Sequence, residues 1–497
     1  MRAIFNTIYI RIKNYWHLDL ILFLAIYATL FNQLTTMPMY IWDEAVYADN
    51  SLQMIFNKNF LINYFDGTPD MWNMNPPLST WIHIPFMLLF NYSELAMRLP
   101  SALSGVIICF FFISFFHKHF KNDLLGYFSS FVLLTTSGFV AFHVTRTGDL
   151  DAIVSLFSTL YVIFFYLYIE YESKKYLMLT FLFILCAYFT KSVAGLLFLP
   201  GLLFYAIYKR KLKMFLFSKH FLLYLSVFIF VIISYYITVD YMQTGFVKLF
   251  IERAITGRYF ETNEGHSQPF FFYFTIMRNI TFKHWIFLLP LSLLLLLFEK
   301  NKKMKDFLIY IVVSSFLFFV VISFSETKLA WYNAQIFPFL SIWVAYGIFN
   351  FISFISCSFD NTVWLKRVVI VLFIIAIFGS PFLSITNDII DKRNDFSSEI
   401  KYGLTLNEMK IVLPSVKQVE LLVAGFNPHT IYYKNLYNQI FKYNISIQNI
   451  VKSISLEVGK TYMFFHPHLI KYFNAYIYSV VYQKDEMLVI KIINKKL

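Results

Sequence analysis

The sequence predicts an α-helical membrane protein with about eleven transmembrane helices and a small C-terminal α/β domain. Hydrophobic residues make up 58% of its 497 residues, charged residues only 14%, and the mean hydropathy is +0.60. Apolar segments recur at about the 20-residue length that a helix needs to cross a bilayer core of roughly 30 Å. They lie at residues 19–37, 96–116, 124–142, 152–170, 176–190, 193–208, 220–240, 285–298, 307–325, 333–353 and 367–386.

The placement of the basic residues predicts how these segments are oriented. Arg2, Arg11 and Lys13 place the N-terminus in the cytoplasm by the positive-inside rule. Alternate connections are then cytoplasmic too, and they contain the basic runs HKHFKN, ESKK, KRKLK, EKNKKMK and LKR. We therefore interpret the net charge of +13 as cytoplasmic-loop charge and expect membrane lipid, not nucleic acid, as a partner. An odd number of spans places the C-terminal domain outside a cell (inner) membrane.

The connections on the opposite side differ in length and in charge. Residues 38–95 and 241–284 form two long outer loops, and acidic and basic residues are mixed near the ends of the spans. Ionisable groups gathered at one membrane face indicate a functional site, because they are costly there.

The last part of the chain has a different composition. We divide the sequence into a membrane domain, residues 1–386, and a small extracytoplasmic α/β domain, residues 387–497. The runs VELLVAGF and MLVIKI predict strands, and HTIYYKNLYNQIF between them predicts a helix. No catalytic motif is visible in this domain.

Two adjacent carboxylates, Asp43 and Glu44, follow the first span in IWDEAVYADN. The segment DEAVYADNSLQMIF predicts a short amphipathic helix with Asp43 in its first turn. An aspartate at a helix start has two interpretations: it caps the backbone N–H groups, or it serves chemistry. The residues alone leave both open.

A series of further segments follows in order: SELAMRLPSAL, TRTGDLDAIVSLF, FTKSVAGLLFLPGLLFY, HSQPFFFYF and SETKLAWYNAQIFPFL. With WDEAVYA and the proline pair at residues 76–77, they resemble the GT-C membrane glycosyltransferases, in particular the lipid A aminoarabinose transferase and protein O-mannosyltransferase group. The resemblance covers about residues 20–350 and does not include the C-terminal domain.

This resemblance implies an inverting glycosyltransferase that uses a polyprenyl-phosphate-linked sugar donor at the outer membrane face. The acceptor is a lipid A-like glycolipid, a surface polysaccharide or a protein. The attacking hydroxyl needs a general base, and Asp43 matches the acidic position of the family. Glu44 is the second catalytic candidate. Because adjacent helical residues diverge by about 100°, we do not expect both to face one site.

The leaving polyprenyl phosphate needs cations or hydrogen-bond donors. The resemblance favours Lys191 and Tyr332 most, with Lys328 and Arg146 as further candidates. Each could instead anchor a helix end.

Some members of this group use a divalent metal, for which His266, Asp149 and Asp151 are the candidates here. The sequence has Met74 and Asn75 where related aminoarabinose transferases carry Glu-Lys ahead of the proline motif. The sequence therefore predicts no definite cofactor, and a divalent metal stays a candidate.

A transporter or flippase of lipid-linked sugars, without transferase activity, is the alternative function. It predicts internal repeats and charged groups near the middle of spans. The charges here cluster at span ends instead, and no convincing repeat is visible, so the sequence favours the enzyme.

Overall fold

The protein is described by a computed structural model over residues 15–140, 143–259, 261, 265–358, 363–391, 400–450, 454–465 and 469–496. Arg2, Arg11 and Lys13, on which the predicted orientation partly rests, lie outside the described residues. The first ten helices are α1 (Tyr15–Phe31), α2 (Asp43–Asn57), α3 (Leu78–Leu89), α4 (Glu94–Phe120), α5 (Asp123–Leu134), α6 (Asp151–Tyr171), α7 (Lys174–Lys191), α8 (Leu199–Tyr208), α9 (Leu212–Leu216) and α10 (Lys219–Met242).

The helices that follow are α11 (Phe246–Phe250), α12 (Gly257–Tyr259), α13 (Phe272–Ile276), α14 (Leu288–Leu297), α15 (Lys302–Phe324), α16 (Phe337–Ser358), α17 (Val363–Asp391), α18 (Lys401–Val412) and α19 (Pro428–Gln439). Short 3₁₀ turns cover Ser192–Leu196, Ala334–Ile336 and Ile470–Phe473, and π-helical turns cover Tyr27–Phe31, Ile251–Thr256 and Met277–Thr281.

Seven of the described helices are long and apolar enough to cross a membrane. They are α4, α6, α7, α10, α15, α16 and α17. Four shorter apolar helices, α1, α5, α8 and α14, occupy the other predicted spans. A helix therefore lies in every segment that the sequence predicts to be apolar and membrane-spanning, and the helical multi-pass architecture is confirmed.

One predicted span is shorter in the structure. The sequence predicts a span over residues 124–142, but α5 ends at Leu134. The hydroxyl groups of Thr135 and Thr136 bond back to carbonyls of the last turn, and the Gly138 amide donates to the Thr281 carbonyl (2.8 Å). These local bonds compete with helical ones. The chain leaves the helix, and residues 143–150 become a non-helical segment beside the outer-loop helices.

Of the seven long apolar helices, α6 is the most enclosed: 89% of the residues in its most apolar stretch are buried. It packs between α4 and α7. Small residues let neighbouring backbones approach, as membrane helices require. A Cβ added at Gly201 of α8 would lie 2.3 Å from the Ser314 hydroxyl oxygen of α15, so only glycine fits there.

The predicted outer loop 38–95 holds α2, α3 and a two-stranded hairpin, β1 (Tyr64–Phe65) with β2 (Thr68–Pro69). The helix expected from DEAVYADNSLQMIF is confirmed as α2. It does not simply lie on lipid: one side packs on α3 and another on α19, and polar Asp49 and Asn50 are buried.

The C-terminal α/β domain is confirmed as a five-stranded sheet in the order β4-β3-β5-β7-β6. Its strands are β3 (Gln418–Val423), β4 (Asn444–Asn449), β5 (Thr461–Phe465), β6 (Tyr476–Lys484) and β7 (Met487–Lys495). The strands β4, β3 and β5 are parallel, and β7 and β6 join antiparallel. The helix α19 connects β3 to β4, as a parallel pair requires. The preceding helix α17 ends at Asp391, five residues past the predicted boundary at 386.

Candidate active site

Asp43 is the first residue of α2 and is half-buried. The N-cap position belongs to Trp42, and no side chain caps this helix. Within the described part of the chain, no residue hydrogen-bonds to the Asp43 carboxyl. The helix-capping interpretation, which the sequence left open, is therefore not what the structure shows.

The Glu44 side chain points away from Asp43, and its carboxylate accepts four hydrogen bonds. Its carboxylate receives Arg98 Nε (2.7 Å) and Nη2 (2.8 Å), and both side chains are at most 2% exposed. It also accepts the backbone amides of Tyr40 (2.8 Å) and Gly148 (2.9 Å). Arg98 uses its other N–H groups on the carbonyls of Leu34, Met37 and Pro38. All four donors to this buried carboxylate come from the protein itself, so the geometry supports a structural role for Glu44.

The non-helical segment 143–150 supplies a second acidic group to the region around Asp43. Asp149 is buried, and its Oδ2 lies 3.3 Å from His143 Nδ1 and accepts the Thr147 hydroxyl. The His143 ring stacks on Trp331, with ring centroids 3.8 Å apart. The stacking fixes the plane of the imidazole beside the two carboxylates.

Lys191, at the end of α7, forms the basic part of the site. Its ammonium lies 2.6 and 2.7 Å from the two carboxylate oxygens of Asp151 and 5.1 Å from the ring centroid of Tyr332. Both residues of the ion pair are under 10% exposed. Lys191 and Tyr332 line one cavity with Gln335, whose amide is held by Ser158 and the Ala194 carbonyl. The pair that the resemblance favoured most is thus brought together, but with Asp151 compensating the charge.

These groups act on one another electrostatically. Burial and, next, the negative charge of Asp149 raise the pKa of Asp43 to about 6, against the lowering effect of His143 and Lys191. Burial also opposes ionisation of Asp149, yet His143 and Thr147 hold the pKa of Asp149 below its usual value. Two neighbouring carboxyls with pKa values driven apart are typical of acid–base sites.

The remaining candidates lie elsewhere. Arg146 turns away and donates to the carbonyls of Thr29 (2.9 Å) and Asn32 (2.7 Å). Lys328 is buried and donates to the carbonyls of Gln268 (2.9 Å) and Ser325. The four residues predicted to bind the donor phosphate therefore do not form one cluster. The geometry supports Lys191 with Tyr332, and it gives Lys328 a role in holding the segment around residue 268.

The metal candidates are rearranged in the same way. Among the described residues, the ligand atoms of Asp43, His143 and Asp149 lie within 4.8 Å of one another. His266 is exposed and Asp151 pairs with Lys191, so neither belongs to this group. Asp149 Oδ1 is buried without a hydrogen-bond partner among the described residues, so its lone pairs are available to a ligand.

The C-terminal domain is hydrogen-bonded to the loop that precedes Asp43. His429 of α19 hydrogen-bonds through Nδ1 to the Met39 carbonyl (2.5 Å), and its Nε2 accepts the Gly403 amide (2.9 Å). Because Nε2 must accept, the proton resides on Nδ1, and burial lowers the pKa of His429 to about 4. Tyr433 accepts the Met39 amide (3.3 Å) and donates to Glu94 (2.5 Å). Both backbone groups of Met39 are thus held four residues before Asp43.

A second contact of the same kind lies further along α2. Asn435 donates to Asp49 (2.9 Å), and Lys434 pairs with Asp66. The sequence gave no sign of these contacts, because the partners are separated by more than 360 positions.

Two residues of the site were missed by sequence reasoning. His143 stands three positions before Arg146 and two before the start of the TRTGDLD segment, and Trp331 immediately precedes Tyr332. Their proximity to recognised segments was the available signal. Their pairing across the fold was not readable, because it joins residues 188 positions apart, as their numbers show.

Comparisons with known proteins agree with this architecture. The family described as "Dolichyl-phosphate-mannose-protein mannosyltransferase" matches residues 74–237. The chain is 26% identical over 310 residues to an undecaprenyl phosphate-alpha-4-amino-4-deoxy-L-arabinose arabinosyl transferase of Wigglesworthia glossinidia brevipalpis, covering 62% of this chain and 54% of the relative. It is also 26% identical over 333 residues to an uncharacterized protein of Aquifex aeolicus, covering 66% and 60%. The chain thus spans between half and two thirds of these relatives.

Solved structures share the whole fold. Crystal structures of ArnT from Cupriavidus metallidurans match with TM-scores of 0.69, bound to undecaprenyl phosphate, and 0.68 in the apo state. Identity is 15% and 14%, and each match covers 95% of this chain and 97% of the other. The chain is thus similar in sequence to these transferases over part of its length and shares the fold of the solved structures. The family match includes Arg98, Asp149 and Lys191, whereas Asp43 precedes it.

Replacing Glu44 by Gln is expected to destabilise the fold strongly. The substitution leaves the Arg98 guanidinium buried without its anion, which costs roughly 3–5 kcal/mol. Asp43→Asn is the matched control, since it neutralises the adjacent carboxyl, whose ionised form burial already disfavours. Thermal unfolding in detergent would show a lower midpoint for Glu44→Gln only. Equal midpoints for the two variants would contradict the structural role of Glu44.

Proposed function

We propose that this protein is an inverting glycosyltransferase of the GT-C class that takes its sugar from a polyprenyl-phosphate-linked donor. The observation that carries the proposal is the placement of Asp43. Its carboxyl is half-buried with a raised pKa, and it is close enough to Lys191 for the lysine charge to act on it. Lys191 in turn lines a cavity together with Tyr332. Relatives in sequence and structure are named as transferases or bind undecaprenyl phosphate, which supports the same donor class.

In this proposal Asp43 is the general base. Its carboxylate takes the proton of the acceptor hydroxyl while the hydroxyl oxygen attacks the anomeric carbon of the donor sugar. The bond from that carbon to the phosphate oxygen breaks with inversion, and polyprenyl phosphate leaves. A base with a pKa near 6 is ionised at neutral pH and still basic enough to accept a proton.

The leaving phosphate is assigned to Lys191 and Tyr332. Asp151 holds the Lys191 ammonium in place, so the cation is pre-positioned rather than free to turn to solvent. A fixed donor costs no reorganisation when charge develops on the phosphate. The Tyr332 hydroxyl offers a second donor on the same cavity wall.

The residues around Asp43 also suit a divalent cation. Asp43, His143 and Asp149 would hold it, a mixed carboxylate and imidazole set that Mg²⁺, Mn²⁺ or Zn²⁺ accepts. When bound, such an ion would stabilise negative charge on the phosphate. The same Asp43 oxygens cannot accept a proton and ligate a cation together, and the reaction above is written with Asp43 as base.

We further propose that the site and the C-terminal domain face the extracytoplasmic side of the cell (inner) membrane. The basic connections predicted to be cytoplasmic lie at the other ends of the spans. A glycolipid acceptor fits a site at the membrane surface, and a polysaccharide or protein acceptor stays open. Transfer assays in lipid with a labelled donor test this function directly. Label that crosses the bilayer still attached to its carrier would favour a transporter instead.

Asp43→Asn is expected to lower the transfer rate by about 10²–10⁴-fold, because the acceptor proton loses its base. Donor binding should persist, since the phosphate contacts are elsewhere. The measurement is release of labelled sugar from polyprenyl phosphate to a membrane-extract acceptor, with Asp123→Asn, in a distant surface pair with His117, as control. Equal rates for wild type and Asp43→Asn would refute the assignment.

Transfer is expected to fall as the pH drops through about 6, because the raised pKa of Asp43 leaves its carboxyl protonated below that pH. Removing the negative charge of Asp149 should move this midpoint to lower pH, since that charge raises the Asp43 pKa. Rate profiles of wild type, Asp149→Asn and the Asp123→Asn control between pH 4.5 and 8 (roughly two units around the midpoint) would show it. An unshifted midpoint in Asp149→Asn would count against Asp43 as the titrating base.

Removing the Lys191 ammonium is expected to weaken polyprenyl phosphate binding about 10- to 100-fold, the loss of one charge-assisted hydrogen bond. Lys191→Met alone strands the buried Asp151 carboxylate, so Lys191→Met with Asp151→Asn separates binding from folding. The matched control is the distant Lys209–Asp306 pair (2.8 Å), changed to Met and Asn, with Glu170, the other partner of Lys209 (2.9 Å), changed to Gln. The double variant is titrated with polyprenyl phosphate in a calorimeter. An affinity equal to that of the wild type would exclude Lys191 from the phosphate site.

A further inference from the structure

A second cavity, of about 170 Å³, lies beside the ends of α1 and α17 and is separate from the cavity of Lys191. Since water occupies roughly 30 Å³ per molecule in the liquid, it holds about five or six water-sized groups. That is the size of a small polar headgroup, not of a whole lipid. Its polar lining consists of Gln33, Thr36, Tyr40, Arg98, Ser137, Arg146, Thr281 and Asp388.

One positive charge in the cavity, that of Arg146, is not paired directly with a carboxylate in the described part of the chain. Arg98 is neutralised by Glu44, but the contacts of Arg146 are two backbone carbonyls, which accept hydrogen bonds without cancelling charge. No carboxylate of the described residues pairs with Arg146. A guanidinium has five N–H donors, so Arg146 retains donors for a further ligand. Burial, and the nearby charge of Arg98, lower the pKa of Arg146 to about 10, a disadvantage that an anion would relieve.

Two buried polar atoms in the lining have no hydrogen-bond partner among the described residues. They are Gln33 Oε1 and Thr281 Oγ1, and the Thr281 residue is only 9% exposed. Unpaired buried polar groups are costly, and each such group calls for an explanation. Gln33 also holds a left-handed backbone (φ 56°), which is uncommon for a residue other than glycine. The Oε1 atom needs a donor, which a bound hydroxyl or amine would supply.

The rim of the cavity adds a negative charge and an apolar surface. Asp388, on the last turns of α17, is exposed and lines the mouth. Ile385 and Ile389 line the wall, while Leu383 and Ile390 of the same helix are 60% and 46% exposed. The cavity therefore opens beside a surface against which acyl chains can lie.

We propose that this cavity binds the headgroup of a phospholipid that carries both a phosphate and a primary amine, as phosphatidylethanolamine does. Arg146 takes the phosphate, Asp388 faces the ammonium, and Gln33 Oε1 accepts an N–H bond from it. The acyl chains lie along α17. This lipid is neither donor nor acceptor of the proposed transfer; it binds behind the Glu44–Arg98 pair and holds the segment that carries Asp149.

Native mass spectrometry of the delipidated full chain in detergent tests the site without any transfer reaction. The probes are phosphatidylethanolamine, phosphatidylglycerol, which lacks the amine, diacylglycerol, which lacks both groups, and inorganic phosphate alone. Phosphatidylethanolamine is expected to bind about tenfold or more tightly than diacylglycerol, and more tightly than phosphatidylglycerol. Because no sugar transfer is measured, failure here is distinct from failure of the proposed function.

Arg146→Gln should weaken binding of both phospholipids, with Arg367→Gln near the other end of α17 as control. Arg146 also holds two carbonyls, so a second variant avoids a folding defect. Asp388→Asn at the exposed rim should erase the preference for phosphatidylethanolamine over phosphatidylglycerol, whereas Asp391→Asn should keep it. A preference that survives in Asp388→Asn, or is absent in wild type, overturns the proposal. So does inorganic phosphate that competes as well as the lipid, since that marks an anion site only.

Discussion

The buried ion pair of Glu44 with Arg98 is the interaction on which the arrangement of the site depends. It joins four parts of the chain: the first turn of α2, the first turns of α4, the carbonyls that follow α1 and the backbone at residue 148. A buried pair of this kind is favourable only when its remaining hydrogen-bonding capacity is also satisfied. Here the guanidinium meets a bidentate carboxylate and three carbonyls, which satisfies that condition.

Two adjacent carboxylates acquire opposite properties from this constraint. A helical step turns neighbouring side chains by about 100°, so once Glu44 faces Arg98, Asp43 must face another direction. That direction is toward Asp149, His143 and Lys191, where burial and a like charge keep its proton affinity high. The sequence places two acids side by side. In the fold, Glu44 links several segments through Arg98, and Asp43 becomes the candidate base.

Local chemistry made much of this fold predictable. Apolar runs marked the helices, alternating runs marked β3 and β7, and adjacent-residue geometry correctly predicted that Asp43 and Glu44 would diverge. The approach of Lys191 to Tyr332 followed only from the resemblance. What could not be predicted depends on contacts between distant residues. The two acids of GDLD take different partners, His143 and Lys191, and Arg146 leaves the site entirely. At the early end of α5, Thr135 and Thr136 are local signals, but the bond from Gly138 to the distant Thr281 carbonyl could not be predicted from residues 124–142.

The hydrogen bond between His429 and the Met39 carbonyl has a consequence for folding during synthesis. The two residues are 390 positions apart, which corresponds to roughly 20 to 80 s of synthesis at about 5–20 residues per second. During that interval the loop bearing Asp43 has emerged, but the groups that hold its backbone do not yet exist. The site is therefore completed at a late stage of translation, when α18 and α19 have folded onto a loop that was among the first parts to leave the ribosome.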